Sequence, residues 1–307
     1  QRPPFGAYIA TGPWRLCSAS PELFFRLDGS RLESRPMKGT APRGLSAAQD
    51  QAQAAALLSS PKNRAENLMI VDMVRNDMGR IARPGTVEAP ALCTLEQYPT
   101  LWQLVSTVTA QTDASLPALF SALFPPASIT GAPKPRTMQI IAELETTPRQ
   151  AYTGAIGFLS PGRRAQFNVA IRTLLIDTRT SRAEYGVGGG IVWDSDRQAE
   201  QDECRTKARI LSAPSLPDFS LLETLLWTPI DGLHLLDRHL ARLRASADYF
   251  GRPFDSARIR EALDAHLRGL SSAPHRLRLL LAADGTPIIQ SHPFAAPASP
   301  PPFRVAF

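Results

Sequence analysis

Residues 212–218, Ser-Ala-Pro-Ser-Leu-Pro-Asp, set two prolines and two serines directly after a helix-like run, and no single helix or strand can pass through them. A chain interrupted in this way folds as two bodies, and 307 residues are enough for both. The expected division is 1–211, a linker at 212–218, and 219–307. No internal repeat is present, and no run of about 18 apolar residues occurs, so neither a solenoid nor a helical membrane span is expected. The opening QRPPFGAYIATG has no signal-peptide pattern and no initiating methionine, and the closing FRVAF reads as a strand cut off in progress. Both ends read as edges of a longer polypeptide.

Cys17, Cys93 and Cys204 are odd in number and lack CxxC spacing, which argues against a disulfide framework or a zinc site and for a reducing cytoplasm. The formal charge is +6, but the arginines are dispersed and no basic stripe is interleaved with aromatics. A small anionic substrate accounts for that balance, and neither a nucleic-acid nor a membrane partner is expected.

Before the break, strand-like and helix-like segments are mixed, an α+β pattern. ELFFRL and RLESR flank Asp28-Gly29, a hairpin signal that, with those two residues as the turn, sets Glu22 opposite Arg35. Residues 62–79 and 195–211 read as helices. AYTGAIGFLS, AQFNVAIRTLLI and AEYGVGGGIVW read as strands buried on both faces.

Chemistry concentrates in a few places. Only four of the 34 basic residues are lysines, Lys38, Lys62, Lys134 and Lys207. A lysine amine can lose its proton and attack carbon, which a guanidinium cannot. Lys38, just past the hairpin end that carries Glu22, is thus either a turn lysine or a nucleophile with an acid partner, its proton affinity lowered by burial or by a neighbour such as Arg35. Glu200, Glu203 and Lys207 share one helix face, as an ordinary surface pair or, with Glu66 from a separate helix, as Mg²⁺ ligands. Gly188, Gly189 and Gly190 either expose amides to an anion or form a tight sheet corner. Arg172 ends an apolar strand and needs a carboxylate, from substrate or from the protein. Thr130, in SITGAPKPR, offers a hydroxyl beside a loop or belongs to an ordinary turn.

SASPELFF, RPMKGTAPRG, RAENLMIVDMVRNDMGR, LVSTVTA, SITGAPK, YTGAIGF, FNVAIRT and GGGIVWDSDRQAEQDECRTKA, in this order over residues 1–211, resemble the chorismate-utilising enzymes. That family includes anthranilate, isochorismate and salicylate synthases and component I of aminodeoxychorismate synthase. The resemblance implies a β-sandwich core with surrounding helices. Lysine within the PxxGT turn is the form of the aminodeoxychorismate branch, where most similar members have alanine. The resemblance also implies a mechanism: Lys38 attacks C2 of chorismate, the C4 hydroxyl departs with acid help from Glu22, and ammonia from a glutamine amidotransferase adds at C4 and expels the lysine. It assigns Mg²⁺ to Glu66 and Glu203 with Glu200 nearby, the ring carboxylate to Gly188–Gly190 and Lys207, and the enolpyruvyl carboxylate to Arg172 and Tyr152. Gln103 stands where the family often has histidine, and Asn63 where relatives commonly have an acid.

Residues 219–250 resemble the start of aminodeoxychorismate lyase and other fold-type IV pyridoxal phosphate enzymes, a small α+β half in which Arg242 matches a cofactor-phosphate ligand. As a bare pattern the same stretch is a basic amphipathic helix. No lysine follows Lys207, so the Schiff-base amine such chemistry needs is not in this segment, and pyridoxal phosphate is expected only in a complete fused lyase. The function expected is chorismate amination toward 4-aminobenzoate and folate; the alternatives are anthranilate synthase component I and a fragment that binds chorismate without turnover.

Overall fold

The computed structural model describes residues 3–193, 195–212 and 217–294. Most of the linker and the FRVAF ending lie outside the described residues. The chain folds as two compact units, Gln1–Gly44 with Gln51–Ser215, and Leu45–Asp50 with Leu216–Phe307.

In the first unit the strands are β1 (Phe5–Thr11), β2 (Trp14–Ser20), β3 (Leu23–Asp28), β4 (Arg31–Arg35), β5 (Met37–Pro42), β6 (Glu88–Gln97), β7 (Leu101–Gln111), β8 (Ala155–Ser160), β9 (Arg164–Val169), β10 (Thr173–Asp177) and β11 (Arg182–Tyr185). The helices are Gln51–Ser59 of α1 (Ala47–Ser59), then α2 (Pro61–Gly79), α3 (Leu116–Leu123), α4 (Ala127–Thr130), α5 (Lys134–Leu144) and α6 (Arg197–Ala208). A seven-stranded antiparallel sheet runs β5-β7-β4-β3-β9-β8 with β6 on β7, and a four-stranded sheet runs β1-β2-β10-β11. α2 buries Ile70, Val71, Val74 and Met78 against Phe25, Leu32 and Val108 of the larger sheet, each at 8 % exposure or less. At about 25 cal/mol per Å² of apolar surface, such burial is the main force holding the helix there.

Four strand expectations need correction. The hairpin turn is Gly29-Ser30, since Asp28 pairs with Arg31, and Gly29 takes the positive φ of 58° required at its first position. A register shift between Leu23 and Arg26 then brings Leu23, not Glu22, opposite Arg35. AQFNVAIRTLLI is two strands: β9 ends at Val169 in the larger sheet, β10 starts at Thr173 in the smaller, and Arg172 makes the corner between them at φ 49°. Of AEYGVGGGIVW only Ala183–Tyr185, the end of β11, is strand, and the glycine run lies outside any strand. Nor is β8 buried on both faces, because Phe158 and Leu159 are exposed.

In the second unit β12 (Leu221–Thr228), β13 (Gly232–Leu233), β14 (His275–Leu281) and β15 (Pro287–Pro293) form a sheet of order β13-β12-β14-β15. α7 (Leu236–Phe250) and α8 (Ser256–Leu267) bury Leu240, Leu243, Ile259 and Leu263 in one core with Leu225, Leu277 and Leu279. In β14 the leucines alternate with exposed Arg276 and Arg278, the period-two pattern of a half-buried strand. Among the described residues no helix is long and apolar enough to cross a membrane.

Candidate active site

The glycine run gathers the predicted residues. A Cβ built on Gly188 would lie 3.0 Å from the Tyr152 hydroxyl, one on Gly189 2.6 Å from Glu200 Oε2, and one on Gly190 2.8 Å from Lys38 Nζ. Three of the expected site side chains thus press on three successive positions that lack a Cβ, and bare backbone is what lets them approach. Lys207 Nζ donates to the Gly188 carbonyl at 2.7 Å and pairs with Glu203 at 2.7 Å. Gly188 therefore accepts a bond from Lys207 through its carbonyl, and the lysine expected to meet substrate is already engaged.

Lys38 is half-buried, and its strand is fixed from behind. The Asn67 side chain, 1 % exposed on α2, donates to the Lys38 carbonyl at 3.2 Å. Gln103, buried on β7, donates to the Gly39 carbonyl at 2.9 Å and accepts from Thr40 at 3.1 Å. Asn63 packs on Gly39 and bonds Ser60. Arg35 is not the free cationic neighbour expected for Lys38, because its guanidinium is paired with Glu96.

Glu22 is 4 % exposed although it ends no regular strand pair with Arg35. Burial pushes its carboxyl up from 4.5 to about 7, against the lowering effects of Ser128, Lys38, the Met37 amide and Arg172. The Ser128 hydroxyl donates to Glu22 Oε1 at 2.7 Å. Ser128 is the residue that sequence reading missed. The signal was the serine of SITGAPK, two positions before the threonine chosen there. Thr130 turns its hydroxyl onto its own loop, 3.4 Å from the Pro126 carbonyl, and takes no part in the cluster.

Arg172 is half-buried at the sheet-to-sheet corner, and its guanidinium makes no hydrogen bond or ion pair among the described residues. Burial pulls its pKa below the ordinary value, while Tyr185, Tyr98 and Glu22 act in the opposite direction. A non-glycine residue at positive φ costs roughly 1–3 kcal/mol, so the surrounding fold holds this cation in place against strain. An anion is the partner that would satisfy it.

The acidic residues converge less. Glu200 accepts from Ser195 at 2.8 Å, Glu203 is exposed and taken by Lys207, and Glu66 is half-buried with no hydrogen bond or ion pair among the described residues. No group of three or more His, Cys, Asp and Glu poised to hold a metal occurs among the described residues. The donor set fits Mg²⁺ in kind, being carboxylate oxygen throughout, but it is not a ready-made cage.

In the second unit Arg242 does not stand free for a phosphate. Its guanidinium grips both oxygens of Glu223, with Nε to Oε1 at 2.8 Å, and His239 bonds the same carboxylate at 2.7 Å.

Residues 1–213, more than two thirds of the chain, match the family described as chorismate binding enzyme. The chain belongs to the chorismate binding enzymes. Residues 220–306 match the class IV amino-transferases. Among curated relatives, the aminodeoxychorismate synthase of Streptomyces griseus is 48 % identical over 208 residues, 67 % of this chain and 28 % of that protein. Component 1 of aminodeoxychorismate synthase from Salmonella typhimurium is 45 % identical over 216 residues, 69 % of this chain and 47 % of that one. Anthranilate synthase component 1 of Methanothermobacter marburgensis is 39 % identical over 210 residues, 68 % of this chain and 45 % of that protein. This chorismate binding chain therefore spans half or less of the length of these relatives. The solved anthranilate synthase component I of Streptococcus pneumoniae superposes with TM-score 0.62 at 32 % identity, covering 69 % of this chain and 46 % of that one. The menaquinone-specific isochorismate synthase of Escherichia coli, at TM-score 0.62 and 24 % identity, shares the fold.

Proposed function

We propose that the first unit aminates chorismate to 4-amino-4-deoxychorismate, in the cytoplasm, with ammonia from a glutamine amidotransferase subunit. The observation that carries the reading is the meeting of an amine and a buried carboxyl that is half-protonated near neutral pH, Lys38 and Glu22, beside the unpartnered guanidinium of Arg172. The amine attacks C2, and Glu22 gives its proton to the departing C4 oxygen, which leaves as water. Ammonia then adds at C4, and the Lys38 nitrogen is expelled, closing the cycle. Lys38 supplies the nucleophile without leaving the glycine strip, and Ser128 steadies the acid that faces it.

Arg172 and Tyr152 hold the enolpyruvyl carboxylate. Lys207 and the Gly188–Gly190 strip receive the ring carboxylate after Lys207 exchanges partners. Mg²⁺, bound through Glu66 and Glu203 with Glu200 alongside, would supply positive charge for that carboxylate. The division into 1–211, a linker at 212–218 and 219–307 suits a fusion whose second part is half of a pyridoxal phosphate-dependent lyase. Arg242 would take the cofactor phosphate there only by giving up Glu223.

The test is a product assay with chorismate, Mg²⁺ and an ammonium salt, with and without added lyase. 4-Aminobenzoate formed only with lyase is expected. Anthranilate would overturn the reading in favour of the anthranilate synthases, and tight chorismate binding without turnover would reduce it to a binding function.

A further inference from the structure

Lys134 sits where a lysine is electrostatically misplaced. It opens α5, and the first turn of a helix carries positive partial charge that disfavours a cation. Its amine instead reaches back 11 residues in sequence to the carbonyl of Leu123, at 3.1 Å, the last residue of α3. It also pairs with Asp77 of α2 at 2.5 Å, the two side chains being only 17 % and 11 % exposed. One ammonium thus caps the end of one helix, starts another and anchors both to a third.

The loop closed by these contacts, residues 124–133, holds Ser128. Glu22, Asp77, Leu123 and Ser128 line one small cavity, which Ser34, Pro36, Val74 and Val169 also border. Within the loop, the backbone bonds of residues 126–131 are local, Thr130 and Gly131 bonding back to Pro126 and Ala127. The ties outward include the core packing of Ala127 and Ile129, the Phe124 ring against Phe24 and Phe120, the Thr137 bond to the Gly131 carbonyl, the Ser128 bond to Glu22 and the Lys134 clamp. A buried ion pair adds little net stability over apolar packing, whereas it does fix register, since removing one partner strands the other.

We infer that the Asp77–Lys134 pair is a positioning device, which clamps the 124–133 loop so that the Ser128 hydroxyl stays on the Glu22 carboxyl. Lys134 and Asp77 touch no substrate atom in this scheme and act through Ser128. The inference deepens the proposed reaction, resting on it for any effect on turnover, but its structural content concerns Glu22 alone. The groups facing Glu22 are Lys38 from β5, the Met37 amide, Arg172 from the corner and Ser128 from α4. Of these, only Ser128 belongs to the clamped loop.

The test follows the Glu22 carboxyl by carbon NMR in glutamate-labelled protein without substrate, assigned by its disappearance in Glu22→Gln. Ser128→Ala removes a bond that holds the carboxyl down, so its titration midpoint is expected to rise by up to about one pH unit, a tenfold change in proton affinity. Lys134→Met is expected to produce the same rise, and the double variant no more than either single one. A Lys134→Met midpoint equal to the unmodified protein's, or effects that add, would overturn the inference. If Lys134→Met does not fold, the same cycle is run with Asp77→Asn, with the same two overturning results. Since no turnover is measured, a failed product assay and a failed clamp are told apart.

Discussion

Glu22 and Glu223 are both glutamates, both nearly inaccessible at 4 % and 3 % exposure, yet their environments drive them in opposite directions. Burial dominates at Glu22 and raises its pKa to about 7. At Glu223 burial is outweighed by bonds from Arg242 and His239, and the carboxyl is held below its ordinary value. The arginines mirror this: Arg172 in the first unit has no bonded partner among the described residues, whereas Arg242 in the second is gripped in a fork. Groups satisfied inside the protein serve the fold. A buried group short of internal partners lowers stability, and on the proposed reading Arg172 is such a group, left for a ligand.

The sharpest break of this contrast is at the amine. Lys38→Ala is expected to abolish amination, by at least about 10³-fold, in the product assay. Lys38→Arg should fail equally, since it keeps the charge but cannot act as nucleophile.

Glu22→Gln should lower turnover by about 10²–10⁴-fold, the usual worth of a general acid. It also has a stability signature. A carboxyl with its folded pKa raised from 4.5 to about 7 contributes stability that is full below about 4.5 and lost as pH rises through about 7. The loss amounts to on the order of 3 kcal/mol, so denaturant melts of the unmodified protein should weaken across that window while those of Glu22→Gln stay flat. Equal slopes in the two proteins would mean that Glu22 is not buried as described.

Arg172→Gln should raise KM for chorismate by about 10–100-fold, the worth of one charged hydrogen-bonding group, while leaving the unliganded protein as stable or more so. A loss of stability would show that Arg172 has an internal partner. In the second unit the opposite result is expected: Glu223→Gln should leave amination unchanged and destabilise by about 1–3 kcal/mol, because Arg242 and His239 lose their shared anion.

Much of the site was legible because its chemistry depends on residue type. Lys38, Glu22 and Arg172 were picked out from the residues themselves and Tyr152 from the family resemblance, while the glycine run, expected to offer its amides to an anion or to form a sheet corner, is the bare backbone that Tyr152, Glu200 and Lys38 approach. Local signals also located α2, α6 and the β3–β4 hairpin. What failed did so for identifiable reasons. The hairpin register slipped because a turn of Gly29-Ser30 and a bulge are each one-residue decisions that alternation does not encode. The corner at Arg172 was invisible because an apolar run continues through it, while a strained φ is imposed from outside. Ser128 was passed over for Thr130 because both are hydroxyls on one loop, and only packing decides which one faces Glu22.

By itself the sequence determined which side chains exist to do chemistry and where α2, α6 and the β3–β4 hairpin lie, since these depend on composition, spacing and propensity over a few residues. Tertiary structure decided which charges are answered. That Arg242 is paired and Arg172 is not, and that Glu22 keeps its proton near neutrality while Glu223 sheds it, depends on distances between segments far apart in the chain and on how much water reaches each group, and no local pattern carries that information.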